Sequence, residues 1–114
     1  MSKYERGDAR AWALESLRGC CGCVSPTFTS DLSGLNEVAI RHDVALAKEH
    51  GLSGLLIVSE GGTTAEEMRR FTEIVVDEAG DDLLTVLQAS QPTLADTVAS
   101  VEHGVGQVSK LVVR

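Results

Sequence analysis

A short polar turn between an apolar run and a helix pattern carries the residues best suited to chemistry. It reads Ser59-Glu60-Gly61-Gly62-Thr63-Thr64. Glycines let backbone amides approach an anion, and the following helix adds its positive end. The turn has no Walker lysine and no G-x-G-x-x-G pattern, so a nucleotide is not predicted, and a plain turn with a capping threonine is the alternative. The predicted binding residues are Ser59, Glu60, Gly61, Gly62 and Thr63.

No side chain in the sequence has the setting of a catalytic nucleophile or a complete metal site. Lys110 begins an apolar run, whereas parallel-sheet proteins place their chemistry at the carboxyl ends of strands, so a structural lysine is the better interpretation. Cys20, Cys21 and Cys23 are one ligand short of a tetrahedral zinc site, and we expect free, mostly buried thiols. The histidines lack H-x-x-x-H spacing. We therefore predict no catalytic residue, no metal and no cofactor.

Four apolar runs with β character position this turn within a repeating pattern. They cover residues 23–28, 54–58, 83–87 and 110–113, and amphipathic helix patterns fill the gaps at 36–51, 64–80 and 92–106. A strand and a helix in about 30 residues is the spacing of βαβ units, which form parallel sheets. A further helix pattern over residues 9–18, which contains Trp12, is expected to pack ahead of the sheet or plug one of its ends.

The second helix has the clearest start signal in the chain. Thr64 and Glu67 match a capping box, in which a hydroxyl and a carboxylate satisfy free backbone donors reciprocally, and Gly80 is placed to end the helix. The buried stripe predicted for this helix is Met68, Phe71, Ile74, Val75 and Ala79. The third helix is expected to bury Leu94 and Val98 on its apolar stripe.

The apolar runs show almost no alternation, which predicts strands covered on both faces. An open doubly wound sheet and a (β/α)₈ barrel both supply that cover, and local sequence leaves the choice open. At 114 residues and 12.1 kDa the chain is the size of one domain. We predict a single α/β domain over residues 1–114, with a lead-in over 1–20 and the repeats over 21–114.

The net charge and the hydropathy of the chain argue against two classes of partner, nucleic acids and membranes. The formal net charge of −7 would repel a phosphate backbone, so nucleic acid is not predicted as a partner. The longest uncharged apolar stretch, residues 52–59, is too short to cross a bilayer, and residues 1–8 do not form a signal peptide. We therefore predict no membrane partner and a cytoplasmic location.

Several segments occur in an order and spacing that, taken together, make coincidence improbable. They are SPTFTSDLSGLNE at 25–37, IRHDV at 40–44, HGLSGLLIVSE at 50–60, TAEEMRR at 64–70 and TLADT at 93–97. Together they resemble the opening of the dihydrodipicolinate synthase / N-acetylneuraminate lyase family, from about residue 12 to residue 113.

The resemblance implies a TIM barrel that cleaves or condenses 2-keto acids through a Schiff base between pyruvate and a lysine. This chain would be the N-terminal half of that barrel, strands one to four, preceded by a short helix. The family's lysine lies on the sixth strand and its tyrosine just past the fourth, so neither has an equivalent here, and Tyr4 is the only tyrosine. The family's G-T-T-G-E turn, which holds the keto-acid carboxylate, is replaced by the shorter turn that begins at Ser59. Glu60 there would repel an anion unless it is paired.

The sequence thus predicts a truncated lyase- or aldolase-like protein that is inactive alone, with a 2-keto acid or other carboxylate as its small-molecule partner. One alternative is assembly with a second copy, as a homo-oligomer, or with a separate second half-barrel, because an open sheet leaves strand edges unpaired. Another is a small α/β anion-binding protein that uses the Gly61 to Thr64 turn.

Overall fold

The chain alternates strands and helices, as its repeat predicts. The computed structural model describes residues 6–106 and the backbone of residues 111–113. The strands are β1 (Cys21–Val24), β2 (Gly54–Ile57), β3 (Leu84–Gln88) and β4 (Leu111–Val113). The helices are α1 (Ala9–Ser16), after a 3₁₀ turn at Arg6–Asp8, then α2 (Glu37–Glu49), α3 (Ala65–Ala79) and α4 (Leu94–Gly106). None of the described helices combines the length and apolar character needed to span a bilayer.

All four strands are parallel and lie in chain order, β1-β2-β3-β4. Cys23 is in register with Leu56, and Leu56 with Val86. The described strands show no reversal of strand order, which is the mark of a complete doubly wound sheet. Right-handed crossovers that all step in one direction place their helices on one face. The predicted α/β fold with parallel strands is confirmed.

One hydrophobic core lies between the sheet and α2 and α3. Its members are Val24, Ile40, Val44, Ala47, Leu55, Ile57, Met68, Phe71, Ile74, Val75, Ala79, Leu83 and Leu87. Along β2 the burial alternates, because Leu55 and Ile57 are buried and Leu56 is only half-buried. The prediction that the strands are covered on both faces is therefore wrong for the described residues. Side chains on the second face have no helix layer against them.

Helix α3 begins and ends where the sequence predicts. Thr64 and Glu67 form the capping box, and Gly80 follows the helix with φ +54°, which an L side chain rarely adopts. Its predicted buried stripe is confirmed from Met68 to Ala79, and Phe71 is fully buried. This helix is thus the best-packed of the described helices.

Two predicted helix packings are not observed. On α4, Leu94 is 78% exposed and Val98 is 40% exposed, so their predicted burial is wrong. Helix α1 has no buried residue, and its main contacts are with the 3₁₀ turn before it. Helix α4 packs against α3, but no described helix covers the side of α4 that carries Leu94. An apolar stripe predicts which face of a helix can be buried, but that face is buried only where another element packs against it.

Ion pairs join α2 to α3 on the outer surface. Arg41 contacts Asp77 Oδ2 at 2.7 Å and Glu78 Oε2 at 3.1 Å on α3, and Glu37 Oε1 at 3.1 Å one turn back on its own helix. Hydrogen bonds to these carboxylates, Asp77 first, raise the pKa of Arg41. Lys48 lies 3.6 Å from Asp82 beyond the end of α3. Arg41 and Lys48 are half-buried, and their ion pairs link α2 to α3 and to the turn that follows α3.

Candidate functional site

The predicted binding residues lie at the carboxyl edge of the sheet, directly after β2. The backbone N–H of Ser59 donates to the side-chain carbonyl oxygen of Gln88, at the end of β3, over 3.3 Å. Ser59 is 8% exposed, and its Oγ is buried without a hydrogen-bond partner among the described residues. A buried hydroxyl without a partner costs free energy, so a polar group bound there would recover it.

The glycines of the turn are fixed by close packing and by backbone conformation. A Cβ on Gly61 would lie 2.6 Å from Cδ of Pro26, so the turn rests directly on the loop after β1. Gly62 has φ +77° and open space around it. One glycine is thus required by a close contact and the other by its left-handed backbone.

The N-terminus of α3 faces the same edge, and its capping box is fully formed. The Thr64 hydroxyl accepts from the Glu67 N–H at 3.1 Å, and the Thr64 N–H donates to Glu67 Oε1 at 2.9 Å. These two amides are therefore occupied. An anion would have to take its donors from the turn itself, with the positive end of the helix behind it.

Charge at this edge opposes an anion. Glu60 is exposed and forms no ion pair within the described part of the chain. No cluster of three His, Cys, Asp or Glu side chains suited to a metal is found among the described residues. The turn therefore offers a hydroxyl and backbone amides, with one unneutralised carboxylate nearby.

Two cavities lie close to the turn without including its predicted residues. An open groove of about 620 Å³ runs between the loop after β1 and α3, with Leu35, Ile74 and Arg70 among its walls. A cavity of about 20 Å³, room for roughly one water, lies between α3 and α4. There His103 Nε2 is buried without a hydrogen bond, 3.8 Å from Glu73 Oε1. Neither cavity is lined by Ser59, Glu60, Gly61, Gly62 or Thr63.

The loop after β1 is ordered by a carboxylate that the sequence did not single out. Asp31 accepts from the hydroxyls of Thr29 at 2.7 Å and Ser33 at 2.8 Å, and from the Ser33 N–H at 3.1 Å. These hydrogen bonds, the one from Thr29 first, lower the pKa of Asp31 to about 2. The loop also places Leu32, 79% exposed with φ +61°, on the surface. An Asp two residues after a Thr and two before a Ser is the signal for such a turn.

The other predicted residues are dispersed. Cys20, Cys21 and Cys23 are all free and exposed, so the prediction that these thiols are mostly buried is wrong. Cys21 and Cys23 are exposed because they lie on the face of β1 that has no described helix packed against it. Tyr4 and Lys110 fall outside the described residues.

Comparison with known proteins shows similarity to synthases and lyases over part of their length. No family model matches the chain. The chain is 29% identical, over 91 residues, to 4-hydroxy-tetrahydrodipicolinate synthase of Methanothermobacter thermautotrophicus, a match that covers 76% of this chain and 32% of that protein. It is 38% identical, over 69 residues, to the 4-hydroxy-tetrahydrodipicolinate synthase of Methanopyrus kandleri, covering 54% of this chain and 22% of that protein.

A solved structure shows the same fold. N-acetylneuraminate lyase from Fusobacterium nucleatum matches with a TM-score of 0.76 at 23% identity, over 83% of this chain and 34% of that one. The chain therefore spans about a third or less of the length of the proteins it matches. In sequence the chain is similar to synthases of the dihydrodipicolinate synthase / N-acetylneuraminate lyase family, and in fold to an N-acetylneuraminate lyase.

Proposed function

We propose that the turn after β2 holds the carboxylate of a small 2-keto acid or a similar carboxylate, as one edge of an aldolase-type lyase barrel. The observation that carries the proposal is the Ser59 hydroxyl, buried without a partner at the carboxyl end of β2. Ligands of α/β barrels bind at that end of the strands. The similarity to synthases and lyases gives the keto acid as the first ligand to test.

The contacts proposed for the carboxylate follow from the free donors. The Ser59 hydroxyl supplies one hydrogen bond, and the amides of the Gly61 to Gly62 turn supply others, because the capping box already uses the Thr64 and Glu67 amides. Gln88 fixes the Ser59 backbone from the neighbouring strand. The unpaired Glu60 carboxylate weakens the binding of any anion and favours a ligand that also carries a hydrogen-bond donor at that point.

We also propose that this chain binds without forming a Schiff base. Lys48 lies in the last turn of α2, whose C-terminus points to the amino ends of the strands, and its ammonium group contacts Asp82. An imine lysine has to reach a ligand at the opposite edge. The half-barrel assignment from the sequence belongs to the same proposal, with the described strands as strands one to four of the barrel, and the cytoplasmic location stays a prediction.

Pyruvate titration followed by thermal unfolding and amide NMR tests the binding site. Ser59→Ala should weaken pyruvate binding by about 10-fold or more, the range for a hydrogen bond to a charged group. The same variant should leave the free protein as stable or slightly more stable, because it removes a buried unpaired hydroxyl. Glu60→Gln should tighten binding. Ser30→Ala, at an exposed serine, is the matched control and should change neither property.

The outcomes separate the parts of the proposal. Failure of pyruvate to shift the turn amides at millimolar concentration, or equal affinity of Ser59→Ala and the unsubstituted chain, would contradict the site. Equal affinity for inorganic phosphate would indicate a general anion-binding protein. Incubation with pyruvate and borohydride should leave the chain mass unchanged, and an adduct at any lysine would refute the claim that no imine forms.

A further inference from the structure

The face of the sheet that points away from the helices carries no charged side chain among the described residues, and Gln88 is its one polar amide. The strand register places on it the residues Cys21, Cys23, Leu56, Leu84, Val86 and Gln88. The two cysteines are exposed and the other four are half-buried, whereas the hydrophobic core lies wholly on the opposite face. None of the acidic residues behind the net charge of −7 lies in the four strands. Two such faces can therefore approach without direct repulsion between carboxylates.

Among the described strands, the sheet has two margins without a partner strand. In the order β1-β2-β3-β4, the outer strands β1 and β4 each pair on one side only among the described strands. Such margins carry free N–H and C=O groups, which pair readily with another strand. Because the whole sheet is parallel, β1 of one copy can pair in parallel with β4 of another.

We propose that two copies of the 114-residue chain close into one eight-stranded barrel around a two-fold axis. In this dimer β1 of each copy pairs with β4 of the other, and the uncharged faces become the interior. Eight strands give an interior that side chains just fill, and four parallel strands in chain order with helices on one face are half of that structure. Both new strand pairs form at once, so the contact is closed and limits assembly to a dimer.

Thiol accessibility distinguishes this dimer from any other association. Cys21 and Cys23 are exposed in the single chain and would lie inside the barrel, while Cys20 precedes the strand and serves as an internal reference. We would measure the molar mass by light scattering and the alkylation of each cysteine by peptide mass spectrometry, over a range of concentrations. The expected result is twice the chain mass of 12.1 kDa, with alkylation of Cys21 and Cys23 falling in proportion to the dimer fraction.

A charge placed on the uncharged face should prevent closure without disturbing the single chain. Cys23→Arg substitutes an exposed position, yet in the dimer it would bury two guanidinium groups in an apolar interior. Val38→Arg, on α2 at a position 81% exposed, is the matched control. Cys23→Arg should give a monomer with unchanged circular dichroism at concentrations where Val38→Arg and the unsubstituted chain are dimers.

Three results would overturn the proposal. They are a monomer at all concentrations, a dimer in which Cys21 and Cys23 react as fast as in the monomer, and a folded Cys23→Arg variant that still dimerises. If Cys23→Arg fails to fold, the alkylation measurement on the unsubstituted chain decides. The assembly needs no keto acid, so loss of pyruvate binding with an intact dimer would count against the ligand site alone.

Discussion

The capping box of α3 makes a quantitative prediction for Thr64→Ala. The substitution removes the hydroxyl that accepts from Glu67 N–H at 3.1 Å, but it keeps the backbone N–H that donates to Glu67 Oε1 at 2.9 Å. One of the two reciprocal bonds is lost, at an exposed position where water partly replaces it. The expected cost is about 1 kcal/mol of unfolding free energy, the middle of the measured range for such caps. In a domain of this size that lowers Tm by about 4 °C.

The assay is urea and thermal unfolding followed by circular dichroism, at one fixed protein concentration. Thr63→Ala is the matched control, because Thr63 is adjacent and half-buried and its hydroxyl forms no hydrogen bond within the described residues. Thr64→Ser keeps the acceptor and should recover most of the loss. Equal destabilisation by Thr63→Ala and Thr64→Ala, or no recovery with serine, would refute the reasoning from the cap.

Two further predictions concern the loop after β1 and the turn that rests on it. Gly61→Ala should cost about 1–3 kcal/mol through overpacking against Pro26, while Gly34→Ala, with no atom within 4 Å of its new Cβ, should leave the urea midpoint nearly unchanged. Folding lowers the pKa of Asp31 from 3.8 to about 2, so the ionised carboxylate stabilises the folded state. This stabilisation is complete at pH values above 3.8, the pKa of Asp31 in the unfolded chain, and is lost as the pH falls through about 2. Thr29→Val should raise the Asp31 pKa in a carboxyl NMR titration, and an unchanged value would exclude the Thr29 hydroxyl as its main cause.

Local signals in the sequence predicted the elements well. The signals around α3 act within a few residues, so they can be recognised without knowing the fold. They are the capping box at Thr64, the glycine at Gly80 that ends the helix, and the apolar stripe around Phe71. The polar turn at Ser59 was predicted in the same way, and it lies at the carboxyl edge as expected. Whether that turn binds a carboxylate stays a prediction.

Burial could not be predicted from the same signals. Helix α4 has an apolar stripe as α3 does, yet Leu94 is exposed because the one described neighbour of α4, helix α3, does not cover that side chain. The thiols of β1 are exposed because they lie on a sheet face that no described helix covers. Arg41 joins α2 to α3 because Asp77 and Glu78 of α3 lie opposite it. Periodicity describes one element, whereas burial depends on what lies opposite it.

The sequence by itself determined the strand and helix order, the absence of charge from the four strands and the position of the glycine turn, because these follow from local propensity and composition. Only the tertiary structure decided that the strands lie in chain order with their helices on one face, and that the Ser59 hydroxyl is buried without a partner. The reason is that strand pairing and burial join residues about 30 positions apart in a βαβ unit, and short-range patterns carry no information on which distant groups will meet.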